Sequence, residues 1–242
     1  MNNHRMSERG SLLVYILLGI VLLGALTIAL RNTGAGGAKD IDKADMVLKA
    51  GQVQRYGSEL ASAVNDLVAN GISEADIRFA HDDAPTEYGD VTNDPQNQIF
   101  GKQGAKATYR TPPAGVNDGS PWEFFGTSRI PQVGSDKAEL IAVLPHVTEA
   151  FCKTMNAQLG FDRATQPVDI NTGSSPDCVM GMSTDRFVGT FKDASPNILD
   201  ETTFSRLPAL QACVSCTTGG TSYNYYYELL ARSSLHTWQK SQ

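Results

Sequence analysis

A chain of 242 residues that is 41% hydrophobic and 19% charged carries enough apolar side chain to bury a core, which excludes a disordered tail. Its formal charge of −6, from 20 Lys and Arg against 26 Asp and Glu, argues against nucleic acid as a partner, because phosphate binding runs on clustered cations. The length suits one fair-sized domain or two small ones, and no internal repeat is visible.

The first feature in chain order is Ser11 to Leu30, SLLVYILLGIVLLGALTIAL, a run of twenty residues without a charge. As a helix it would extend roughly 30 Å, the depth of a bilayer's hydrocarbon core. His4, Arg5, Glu8 and Arg9 precede it and Arg31 ends it. A cleaved secretory signal has a shorter apolar region, about 7–15 residues, and a small-x-small site after it. A buried core helix would keep a polar face. The run therefore reads as a transmembrane helix.

Gly10 sits where the short charged leader meets this run, in Glu8-Arg9-Gly10-Ser11-Leu12-Leu13. The string resembles the class III signal of type IV pilins and type II secretion pseudopilins. The resemblance implies a processing site between Gly10 and Ser11, cut by a prepilin peptidase that removes leader 1–10. It implies that 11–30 first anchors the subunit as a single pass in the inner membrane, with a periplasmic globular domain, and then forms the core of a filament. Residues 31–39, including RNTGAGGA, would be a glycine-rich flexible segment, and 40–242 an extracytoplasmic pilin-like domain. Tyr15 departs from the glutamate usual at the fifth mature position, as in some minor, tip-type pseudopilins. The partners implied are copies of itself or other pilins, the peptidase, and an assembly platform with its ATPase. The expected function is a structural subunit of a pilus-like or type II secretion-like filament. The alternative is a non-polymerising, membrane-anchored periplasmic binding or adhesion module.

From Asp40 to Asn70 the apolar residues Ile41, Ala44, Leu48, Val53, Tyr56, Leu60, Val64 and Leu67 recur mostly at steps of three or four, predicting an amphipathic helix stopped by Gly71. Ser73 to Pro121 is irregular and polar. Within it His81 to Asn97 holds Asp82, Asp83, Glu87, Asp90 and Asp94. A calcium loop would need several oxygens in a tight turn, but D-x-[DN]-x-[DN]-G is absent, and a solvated acidic loop is the reading. Strands are predicted weakly at Lys106–Arg110 and at Phe187–Phe191. They are predicted more firmly at Trp122–Ile130, Ala138–Leu144 and Tyr223–Ala231. Between them Val147, Phe151, Met155 and Leu159 predict a helix opened by Pro145 and closed by Gly160. The fold class expected is α+β: a long N-terminal helix, apolar then amphipathic, packed on an antiparallel sheet with one inserted helix. The Cys-containing helix AFCKTMNAQLGF and the later aromatic strand NYYYELLAR are also similar to pilin-like proteins of bacteria, which supports the same expectation.

Cys152, Cys178, Cys213 and Cys216 all follow the apolar run, and an even count in an exported segment predicts two disulfides, with three connectivities open. Cys213-Val-Ser-Cys216 has redox or half-zinc-site spacing. Zinc lacks a second C-x-x-C, and a thioredoxin-type site would need a helix where Thr217-Thr218-Gly219-Gly220 stand. No hydrolase, zinc-protease or phosphate-loop motif appears, so the chain is not expected to be an enzyme or to hold a cofactor or metal. His81-Asp82-Asp83 has the composition of an acid/base cluster, but no nucleophile signature accompanies it, and an exposed loop histidine is the reading. In a strand, Tyr223, Tyr225 and Tyr227 would share one face and Tyr226 the other.

Overall fold

The structure, a computed structural model, describes residues 42–162, 166–169, 178–216 and 221–232. By its contacts the chain divides into Met1–Asp45, of which 42–45 are described, and Met46–Gln242, which holds the fold.

Helix α1 spans 42–69. Ala50, Val53, Tyr56, Leu60, Ala63, Val64 and Leu67 are buried along one stripe, as a period of 3.6 requires. Gly71 leaves the helix at φ 89°, a conformation that costs glycine little. Strands β1 (Glu123–Arg129), β2 (Glu139–Leu144), β3 (Val168–Asp169), β4 (Asn197–Ile198), β5 (Gln211–Cys216) and β6 (Ser222–Leu230) form one sheet in the order β3-β5-β6-β2-β1-β4. The four central strands pair antiparallel, while β3 joins β5 and β4 joins β1 in parallel. Helix α2 (Glu149–Gln158) lies between β2 and β3 in sequence.

The two edges meet. Asn197 Nδ2 of β4 donates to Asp169 Oδ2 of β3 at 2.8 Å, and the Val168 amide donates to Thr203 Oγ1 at 2.9 Å. The sheet is thus nearly closed, like a six-stranded barrel. The expected fold class is corrected here. The described residues contain no two-part helix, apolar then amphipathic, and the sheet is mixed and curled rather than an antiparallel layer under such a helix. The physical reason lies in the strands. Every residue of β2, ELIAVL, is buried, so both of its faces need cover. Leu140, Ala142 and Leu144 face an outer core with α1, α2 and the 74–122 segment. Ile141 and Val143 face an inner core with Phe125, Val214 and Tyr226, which only a curled sheet can enclose.

The single-pass inner-membrane placement is corrected as well: among the described residues no helix is long and apolar enough to cross a membrane. The run 11–30 that suggested it, with Gly10, Ser11 and Tyr15, lies outside the described residues.

Tyr225 joins the outer core and Tyr226 the inner one, and Tyr223 and Tyr227 pack on the outer side. The tyrosines are therefore packing residues. Tyr227 also sets the approach of α1, since a Cβ added at Gly57 would stand 2.5 Å from its ring. Lys106–Arg110 and Phe187–Phe191 run beside other segments without forming strands. Helix α2 begins at Glu149 rather than Pro145, because Val147 is first used in a bridge to Asn117 and Thr148 caps the Phe151 amide at 3.2 Å.

Candidate functional site

Three extended segments lie side by side outside the sheet. Arg78 and Asn97 to Ile99 exchange backbone hydrogen bonds of 2.9 Å, and the Ala105 and Ala107 amides donate to Gln98 and Ile99 carbonyls at 3.0 Å. Each segment contributes one ring to the same place. His81 stacks on Tyr109 with centroids 3.8 Å apart, and Phe100 meets both edge-on at 5.4 and 5.5 Å. Phe100 also touches Phe124, which stacks on buried Phe79, so the cluster is rooted in the outer core. Gly104 permits the turn between the second and third segments, because a Cβ there would lie 1.9 Å from the Gln98 carbonyl oxygen.

Above these rings opens a groove of about 490 Å³, rimmed by Asp82 and Asp83 and by Lys102 and Lys106. A second hollow of about 220 Å³ adjoins it, sharing Ala107 and Thr108 and backed by Tyr56, Glu59 and Asp66. Burial lowers the pKa of His81, and the Asp83 and Asp82 charges only partly restore it. The imidazole is therefore neutral at pH 7 and acts as a ring rather than a charge.

The acidic loop between the first two segments is held from within. Buried Gln98 accepts the Ala80 amide at 3.2 Å and donates to the Asn93 and Asp90 carbonyls at 2.8 and 3.3 Å. At its far end Tyr88 donates to Glu123 Oε2 at 2.7 Å and accepts the Phe124 amide at 2.8 Å. Arg186 closes a two-pronged pair on Glu123 at 2.7 and 2.8 Å. The Glu123 hydrogen bond raises the Arg186 pKa further, so that guanidinium stays charged. Among the described residues no group of three or more His, Cys, Asp or Glu is arranged to hold a metal ion.

No family model, curated protein or solved structure matches the chain. What the site can do therefore rests on its own geometry.

Two further clusters bring titratable side chains together. His146 Nδ1 lies 3.2 Å from Asp118 Oδ2 and 3.3 Å from Ser120 Oγ. A triad needs serine and carboxylate on opposite ring nitrogens, whereas here both face the same one and Ser120 donates to Asp118 at 2.6 Å. The second cluster lies where β2 meets β6. Burial pushes Glu139 up to about 7; the Arg232 and Ser135 amides oppose this, and the nearby Glu228 charge adds to it. Burial likewise pushes Glu228 up to about 7. Both acids bind their protons more tightly folded than unfolded, where the ordinary value is 4.5. Stability is thus highest below pH 4.5 for this pair and falls as pH rises towards 7. The melting temperature is expected to be higher at pH 5 than at pH 8, and Glu228→Gln should flatten the slope. A melting temperature that climbs from pH 5 to pH 8 in the unaltered chain would contradict this.

All four cysteines are paired. Cys152 of α2 joins Cys213 of β5, and Cys178 joins Cys216, with Cα atoms 5.2 and 6.0 Å apart. The C-x-x-C spacing falls on a strand, where positions three apart face opposite ways. Cys213 and Cys216 therefore cannot form a redox pair with each other and serve separate bridges. The groove was not legible in the sequence, because His81, Phe100 and Tyr109 follow no motif and meet only through the three-segment ladder. The signal available was the acidic string after His81, which reads as a solvated loop.

Proposed function

We propose that the chain is an exported structural subunit of a type IV pilus-like or type II secretion-like filament, processed between Gly10 and Ser11. The observation that carries this reading is the pairing of all four cysteines into two bridges that both end on β5. Such bridges form and persist in oxidising compartments, where a filament subunit does its work. The resemblance of Glu8 to Leu13 to a prepilin signal supplies the assembly step. The twenty uncharged residues from Ser11 to Leu30 need apolar cover, each leucine gaining about 1.5–3 kcal/mol on burial, and copies of the same segment in a filament would supply it. The partners of this reading are other copies or other pilins, the peptidase, and an assembly platform with its ATPase.

Mass spectrometry of the mature protein is expected to find an N-terminus at Ser11, and Gly10→Trp should leave residues 1–10 attached. A mature chain that begins at Met1, or that lacks 11–30, would overturn the reading. The groove beside His81 favours a second reading, an exported binding module that does not polymerise. Cross-linking separates the two: the filament reading requires contacts to a pilin partner or to another copy, and the binding module requires none.

A further inference from the structure

We propose that the groove above His81, Phe100 and Tyr109 is a saccharide-binding site. Its floor consists of aromatic rings anchored in the core, so no ordering of the floor is needed when a ligand arrives. Its rim carries two carboxylates, Asp82 and Asp83, and two ammonium groups, Lys102 and Lys106. Those four side chains make no hydrogen bond or salt bridge with the described residues. Opposite charges that surround one groove and pair with none of the described residues leave hydrogen-bonding capacity to a ligand.

The chemistry of the rim selects the ligand class. A purely anionic or purely cationic molecule would be repelled by half of it. A pyranose ring has an apolar C–H face to lie on aromatic carbon, and each hydroxyl both donates and accepts. The carboxylates can accept from such hydroxyls and the ammonium groups can donate to them. The groove is open rather than enclosed, and the hollow backed by Tyr56, Glu59 and Asp66 shares Ala107 and Thr108 with it. An extended oligomer of repeating units fills such a pair of hollows better than a single compact molecule. His81 takes part as a neutral ring at the base, not as an acid or base.

The test uses the full-length chain and four neutral probes: the hexasaccharides of N-acetylglucosamine, glucose in α-1,4 and β-1,4 linkage, and mannose. Titration followed by calorimetry and by ligand-observed NMR is expected to give a dissociation constant on the order of 1 mM or tighter for at least one of them. Asp83→Ala combined with Lys102→Ala, both on the exposed rim, should weaken that binding by about tenfold or more. The melting temperature should not change, which separates a ligand contact from a folding role. Phosphocholine is the comparison, since a zwitterion also matches a rim of both signs. Binding of phosphocholine with none of the hexasaccharides, no binding of any probe up to about 5 mM, or binding that the double variant leaves unchanged would each overturn the proposal. None of these outcomes bears on processing at Gly10, so the filament reading stands or falls separately.

Discussion

Replacing Cys178 and Cys216 together by Ala is expected to lower stability by about 4 kcal/mol, from the loop entropy that a bridge across 38 residues withholds from the unfolded chain. In a protein of this size that corresponds to a fall of roughly 8–16 °C in melting temperature. The bridge across 61 residues, Cys152–Cys213, should give a similar loss when both its cysteines become Ala. The two act in different places. Cys152–Cys213 ties α2 to the outer face of β5, whereas Cys178–Cys216 ties the turn at 178–180 to the end of β5 beside β3, near the seam where the sheet closes. Urea unfolding followed by tryptophan fluorescence measures both losses. A change below about 1 kcal/mol for either pair would show that the bridge adds little to a fold already held by its two cores.

Arg186→Met should be among the most damaging single substitutions of a charged residue. The Glu123 side chain is 9% exposed and that of Arg186 is 17% exposed, so removing the guanidinium strands a carboxylate in a nearly dry site. Breaking a buried pair in this way costs about 3–5 kcal/mol, more than the net value of the intact pair. The double variant Glu123→Gln/Arg186→Met should recover much of the loss, because no buried charge is left unpaired; Glu87, which Arg186 also meets at 2.9 Å, is 43% exposed and stays solvated. Tyr88 gives a second readout. Its hydroxyl lies between Glu123 and the Phe124 amide, and burial first, then the Glu123 charge, holds its pKa well above 10.0. If Arg186→Met unfolds at the same urea concentration as the unaltered chain, the Arg186–Glu123 pair does not hold this part of the fold together.

The sequence by itself determined the elements whose signal is local. The apolar stripe from Val53 to Leu67 requires a helix with one buried face, and 42–69 is such a helix. Bounding turns, and the run of aromatics at Tyr223–Tyr227, placed β1, β2 and β6 within a residue or two. The same reading could not see β3 and β4, which are two residues each and exist only through partners far along the chain, Ser215 and Ser128 among them. It missed β5 because in QACVSC only Val214 has a strong strand preference of its own; tertiary pairing with β6 and burial decide its state. It also made the architecture a layer under a long two-part helix. A run such as ELIAVL says that both faces of a strand are buried, but not what buries them. Closure of the sheet is set by the meeting of Asp169 and Asn197, 28 residues apart, and cysteine pairing by which face of β5 each sulfur occupies. Periodicity is a property of neighbours in the chain, whereas closure, bridge partners and the ring cluster at His81 are properties of neighbours in space, and only the folded chain brings those together.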